Sequence, residues 1–253
     1  MRKAYLDAIY RYPVKGLSPE KLGFAKLELF QTLPGDRRYA IENGPSGFYP
    51  AAPGYLPKQR FLMLMKNERL ARLTTRYDDA TDTLTVGVDG REISGNLGTP
   101  GGRKTIEDFF ATFCADELRG PPKILRADGH SFSDVAAKVV SIINLASVAE
   151  IETAIGKPVD PLRFRANLYV ADWPAWREFD LIGHDLNISS HTRLRVTKRI
   201  VRCAATNVDP ATGMRDLAIP QALMQTFGHM DCGVYAEVIN RGSVAHADAV
   251  WED

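Results

Sequence analysis

No apolar run in this 253-residue chain is long enough to cross a bilayer. The longest, Phe61-Leu62-Met63-Leu64-Met65, falls far short of the roughly 20 residues a spanning helix needs. Met1-Arg2-Lys3-Ala4-Tyr5 has neither the apolar stretch nor the cleavage site of a secretory signal, so a cytoplasmic protein with no membrane partner is expected. Cysteine is scarce: Cys114, Cys203 and Cys232 are odd in number, far apart and without a Cys-x-x-Cys pair, which argues against a disulfide framework, a structural zinc site or an iron-sulfur cluster. Charge of one sign is lacking too. With 32 Lys and Arg against 31 Asp and Glu, bulk charge gives no reason to expect nucleic acid as a partner. Internal repeats, low-complexity tracts and charge blocks are also absent.

What is present is a 45% apolar composition, enough for a substantial core. Tyr5 to Tyr12 alternates, with Leu6, Ala8 and Tyr10 on one face, and ends in a turn, Pro13-Val14-Lys15-Gly16, that presents a lysine. Pro34-Gly35-Asp36 delivers Arg37 and Arg38 into a new strand. Both are anion-site candidates because a guanidinium binds phosphate or carboxylate in a fork, with an ion pair to Asp36 or Glu42 as the plainer alternative. Asn43 to Gln59 is a long Gly- and Pro-rich loop, of the sort that carries function or moves. Arg60–Met65, Ala71–Tyr77, Thr83–Val88 and Arg91–Ser94 read as a β-meander broken by Gly95 to Gly102. Ile106, Phe109, Phe110 and Phe113 then recur at helical spacing through Thr105 to Leu118.

Gly120-Pro121-Pro122 is the expected boundary between a β-rich domain, 1–120, and a second domain, 121–253. Beyond it come a strand (123–127), a polar loop carrying His130, Ser131 and Asp134, and an apolar strand (135–145). Ser147-Val148-Ala149-Glu150 has the form of a capping box, which starts a helix there that runs to Gly156. Alternation through Pro161 to Val170 places Arg163, Arg165 and Asn167 on one strand face. Such a row either meets a ligand or faces solvent. Leu194 to Val201 is β-branched and apolar, a strand that ends beside Arg202 and Cys203 and is followed by turn chemistry, Asp209-Pro210-Ala211-Thr212-Gly213. A thiol at that junction, with Arg199 and Arg202 near in sequence, suits a soft metal or sulfur transfer; a buried, inert thiol is the other reading. Ile219 to Phe227 makes a helix closed by Gly228, Gly233 to Ile239 a late strand and Ser243 to Trp251 the last. Many short strands with single helices between them indicate a mainly β fold with α additions, barrel-like and not built of βαβ units.

Four motifs in this order, Tyr12-Pro13-Val14-Lys15-Gly16, Gly35-Asp36-Arg37-Arg38, Arg163-Phe164-Arg165-Ala166-Asn167, and Arg202-Cys203 with Val208-Asp209-Pro210, resemble the MOSC family, named after the C-terminal domain of molybdenum cofactor sulfurase. Phe227-Gly228-His229 and Asp231-Cys232-Gly233-Val234-Tyr235 are similar to bacterial members. The resemblance covers nearly the whole chain. It implies a MOSC-type β-barrel behind an N-terminal β-rich region, and a protein similar to the bacterial and mitochondrial amidoxime-reducing components. From it, Cys203 would ligate molybdenum and be the catalytic residue. Lys15, Arg37, Arg165 and Asn167 would hold the molybdopterin cofactor, with His130, Ser131 and Asp134 beside the pocket. The activity implied is reduction of small N-hydroxylated molecules. Because the chain ends without the ferredoxin domain of some members, electrons would come from a separate reductase, ferredoxin or cytochrome-type protein. Ala247-Asp248 stands where the family usually has a glycine-aspartate turn. The alternatives are a sulfur carrier with a Cys203 persulfide, a molybdopterin-binding module without turnover and, remotely, a pyridoxal-phosphate site on Lys15.

Overall fold

Nineteen strands and α-helices, joined by 3-10 turns, make up the computed structural model, which describes residues 4–252. Met1 to Lys3, part of the stretch read for a secretory signal, and Asp253 lie outside the described residues. The first half contains β1 (Tyr5–Arg11), β2 (Glu20–Leu22), β3 (Phe24–Leu27), β4 (Ala40–Asn43), β5 (Thr74–Asp78), β6 (Thr83–Val88), β7 (Arg91–Asn96), α1 (Pro100–Phe113) and β8 (Pro122–Leu125). The second contains β9 (Val140–Asn144), α2 (Leu145–Ile155), β10 (Leu168–Ala171), α3 (Arg177–Asp180), β11 (Asp185–Ile188), β12 (Thr192–Val201), α4 (Ile219–Phe227), β13 (Asp231–Asn240), β14 (Gly242–Ala245) and β15 (Val250–Glu252). Strand outweighs helix, 34% against 23%, in a mixed α+β fold. Among the described residues no helix is long and apolar enough to cross a membrane.

The largest sheet has eight strands in the order β15-β11-β12-β13-β9-β10-β1-β2. It curls until its ends meet: Tyr5 bridges Ala249, the Leu6 amide donates to the Asp248 carbonyl at 2.9 Å and the Val250 amide to Ala4 at 2.9 Å. That closure makes a barrel, and its interior is filled by Leu6, Ile142, Leu168, Leu194, Val196 and Val234, all 0% exposed. The pattern of β1 departs from simple alternation. A register shift between Leu6 and Ala8 acts as a bulge, so Leu6 and Ile9 point into the barrel, and Ala8 and Tyr10 pack outside it against the cluster under α2 and α4. A second core joins β4, β8, the β5-β6-β7 meander and α1, around Ile106, Phe110 and a fully buried Cys114.

Several elements differ from the sequence expectation for local reasons. Phe61 to Met65 is a series of turns after a 3-10 segment, because Phe61 bridges Glu42 and packs on Phe132 and the rest turns beneath it. Helix α1 starts at Pro100 instead of Thr105. Thr99 caps it by accepting from the Gly102 amide at 3.1 Å, and a Cβ on Gly102 would sit 2.1 Å from the Asn96 carbonyl oxygen. Those glycines permit a close approach of helix to strand and do not break the chain. Helix α2 is capped by Asn144, three residues before the Ser147 of the capping-box reading. Ser147 is diverted, donating to Glu178 at 2.9 Å and accepting from the Trp176 amide at 2.8 Å. The apolar stretch 135–145 is strand only from Val140.

Candidate functional site

Where β1 leaves the barrel, Val14 bridges Tyr39, and the Lys15 amide donates to the Tyr39 carbonyl at 2.8 Å. Gly16 follows at φ +85°, a conformation open to glycine at little cost, and a Cβ there would press on the Leu62 carbonyl. The turn drives the Lys15 side chain inward. It is 4% exposed, and its Nζ donates to the Phe132 carbonyl at 2.8 Å and pairs with Asp134. Burial lowers the ammonium below the ordinary lysine range, with Asp134 opposing. Burial would raise the Asp134 carboxyl, but Lys15, Arg37 and Lys58 outweigh it and hold that group far below the usual carboxylate range.

Arg37 sits at φ 50°, its amide donating to the Tyr12 carbonyl at 2.7 Å and its guanidinium paired with Asp36. The plainer reading of an ion pair with Asp36 is therefore realised, and the same guanidinium also donates from Nη2 to the Arg165 carbonyl at 3.1 Å. Arg38 turns away to the Tyr77 hydroxyl at 3.1 Å. Pro161 to Val170 is not the alternating strand that its pattern suggests. Asp160 caps a 3-10 turn over Pro161–Phe164, Arg165 is left-handed at φ 50° and ψ 44°, and β10 begins only at Leu168. Turn chemistry at Asp160-Pro161 wins over the period-two pattern.

Arg163, Arg165 and Asn167 still meet the same space. Arg163 is 4% exposed; its terminal nitrogens pair with Asp209 and Asp216 at 3.1 and 2.8 Å, and its Nε is buried without a hydrogen-bond partner. Arg165 donates to the Leu17 carbonyl at 2.8 Å, and burial lowers its pKa. Asn167 is a framework residue: its Oδ1 accepts from the Ser141 amide at 3.1 Å and hydroxyl at 2.9 Å, and its Nδ2 donates to the Tyr10 carbonyl at 3.2 Å.

Strand β12 carries register shifts at Val196/Lys198 and Arg199/Val201, and such bulges re-aim the side chains that follow. Cys203 comes just beyond, at the start of a 3-10 turn, its carbonyl accepting from the Thr206 amide at 3.0 Å and hydroxyl at 2.9 Å. Its thiol is half-buried, and Lys58 Nζ donates to Sγ at 3.2 Å. Burial would lower Lys58, but Asp134 and the sulfur outweigh it and raise the ammonium. Arg202 points inward beside it: Nε donates to the Cys232 carbonyl at 2.7 Å, Nη1 to the Phe164 carbonyl at 2.9 Å, and Nη2 is buried without a partner.

These groups line one cavity of about 360 Å³. Cys203, Lys15, Arg37, Arg165, Asn167 and Asp134 are all on it. His130 and Ser131 are not. The His130 ring packs on Phe132 and Phe48 at centroid distances of 4.8 and 5.4 Å, and the Ser131 hydroxyl donates to the Asp36 carbonyl at 2.9 Å, behind the arginine turn. Asp248 is remote as well, accepting from the Ala245 amide at 2.7 Å in the turn before β15. Lys58 and Lys198 are the charged cavity residues that sequence reading passed over. The Gly- and Pro-rich loop stood out as a whole, but nothing local distinguishes Lys58 within it.

Eight lysine and arginine residues and two aspartates line the cavity; of these, Arg163 is paired with Asp209 and Asp216, and the Arg199 guanidinium lies over the Phe179 ring at 4.2 Å. That excess, together with the unpartnered Arg202 Nη2, fits an anionic guest, since a buried donor is costly until an acceptor arrives. Cys203 is the single thiol on the cavity, and among the described residues no group of three His, Cys, Asp or Glu could hold a metal ion. A metal here would bring most of its ligands with it and take one soft donor from the protein.

Residues 127–251 match the family described as MOSC domain, and residues 3–109 match the family described as MOSC N-terminal beta barrel domain. No curated protein matches the chain. Among solved structures, the YuaD protein from Bacillus subtilis is similar with a TM-score of 0.46 and 13% identity, over 98% of this chain and 94% of that one. YiiM from Geobacillus stearothermophilus and YiiM from Escherichia coli are each 17% identical, with TM-scores of 0.36 and 0.34, over 45% of this chain and 53% of theirs.

Proposed function

Because this chain belongs to the MOSC-domain proteins, whose shared domain is like the C-terminal domain of molybdenum cofactor sulfurase, we propose that it binds a molybdenum-pterin cofactor and reduces small N-hydroxylated molecules. Electrons come from a separate redox protein. The observation that carries the reading is a lone half-buried thiol on a cavity lined by many more basic than acidic residues, Lys15, Lys58, Arg37 and Arg165 among them. A thiolate is a soft donor suited to molybdenum already held by dithiolene sulfurs.

Cys203 would be the protein's ligand to the metal. Lys15, Arg37 and Arg165 would hold the cofactor's pterin and phosphate groups. Asn167 and Ser141 hold the backbone that carries Arg165, and Asp134 favours the charged form of Lys15 against the effect of burial. When bound, the metal supplies two-electron removal of oxygen, so that two electrons and two protons convert N–O into N–H and water. The protein's own part is orientation and electrostatics. Met63, Leu64 and Phe164 give the wall an apolar side that excludes water, and the buried guanidiniums fix anionic groups in place.

A sulfur carrier is the second reading, favoured by the contact between Lys58 and the Cys203 sulfur. It leaves the cationic cavity unexplained, since a persulfide needs no phosphate cradle. Elemental analysis of protein made in a cofactor-competent host separates the two. Stoichiometric molybdenum in the wild type, lost in Cys203→Ser, together with turnover of an N-hydroxylated compound, is the expected result. Molybdenum without turnover would point to a binding module, and no molybdenum but cyanide-releasable sulfur on Cys203 to the carrier.

A further inference from the structure

Arg37 and Arg165 stand 128 residues apart in sequence, yet each adopts φ 50°, a region that L side chains rarely occupy. Two strained arginines side by side also repel. One residue touches both: the Tyr12 ring lies 4.2 Å from the Arg165 guanidinium carbon and 5.0 Å from that of Arg37, inside the range of cation–aromatic attraction. The Tyr12 backbone builds the same turn. Its amide donates to Asp36 Oδ1 at 2.8 Å, its carbonyl accepts from the Arg37 amide at 2.7 Å, and the Asp36 carboxylate closes the loop on the Arg37 guanidinium. Tyr12 is 0% exposed and its hydroxyl is directed to Tyr169 and not to either arginine, so the ring, and not the oxygen, makes these contacts.

We propose that Tyr12 is the positioning residue of the anion site: its ring holds the Arg37 and Arg165 guanidiniums at a fixed spacing so that both face one phosphate-like group. The inference rests on the cradle in the function proposed above, and not on the metal. Desolvation makes the ring more effective, because cation–aromatic attraction is stronger away from water.

Inorganic phosphate titrated calorimetrically into the metal-free, full-length protein tests it. Wild type and Tyr12→Phe are expected to bind with the same affinity, and Tyr12→Leu about tenfold more weakly, as the loss of two cation–aromatic contacts requires. Undiminished binding by Tyr12→Leu overturns the proposal. So does equal weakening in Tyr12→Phe, which would assign the role to the hydroxyl, or no binding by wild type. Should Tyr12→Leu not fold, the wild type still decides by NMR. The Arg37 and Arg165 Nε–H signals should show ring-current shifts and move together as phosphate is added; unshifted or unmoved signals count against the proposal. Molybdenum content reads Cys203 and phosphate affinity reads the arginines, so either result can fail without the other.

Discussion

At the scale of single residues, the three cysteines end in unlike places. Cys114 and Cys232 are both 0% exposed, and burial pushes each thiol up to about 12. Cys203 is half-buried and open to the cavity. Iodoacetamide at neutral pH is therefore expected to modify Cys203 alone in the folded protein. Peptide mapping checks it, and Cys203→Ser should leave the protein unreactive until denaturant exposes the other two. The position of Cys203 was legible because a β-branched run and a turn flank it. Arg163, read from its Arg-x-Arg-x-Asn row as facing either ligand or solvent, lines the cavity, with its terminal nitrogens paired to Asp209 and Asp216 and its Nε buried without a partner. Lys58 could not be found from sequence, because its partner lies 145 residues away.

Elements were most legible where local chemistry and packing agree. Helix α4 ends at Gly228, which is left-handed at φ 75°, and β6 spans Thr83–Val88 as its pattern indicates. Boundaries moved where a side chain had a better offer elsewhere, as Ser147 did with Glu178, or where a turn overruled a period, as at Asp160-Pro161. The turn before β15 shows a cost that sequence alone only hints at. Ala247 sits at φ 69°, with Asp248 bracing the turn through its bond to the Ala245 amide at 2.7 Å. Ala247→Gly is expected to stabilise by about 0.5–1 kcal/mol, because relief of the left-handed strain exceeds the extra chain entropy of glycine. Thermal unfolding should show a Tm higher by roughly 2 °C, with the cavity's ligand binding unchanged.

For the molecule as a whole, the barrel depends on strands from both ends of the chain. β1 pairs with β10 and bridges the turn before β15, and Leu6 and Ile9, each 0% exposed, fill the interior. A fragment of residues 121–253 would leave the β10 edge unpaired and open that core. It is expected to be insoluble or poorly packed, and adding a peptide of residues 1–33 should restore dispersed NMR signals; a well-folded fragment alone would refute this. The same closure accounts for what could and could not be read in advance. Sequence by itself determined the strand-rich class, the stripe of α1, the turns at Lys15, Arg37 and Asp209, and the chemistry available at Cys203, because each depends on residues near one another along the chain. Tertiary structure alone decided which cations share a cavity with the thiol, that His130 and Ser131 stand outside it, and that Tyr12 lies against two arginines. Those outcomes come from strand pairing and bulges across more than a hundred residues, where a shift of one position reverses the face a side chain presents.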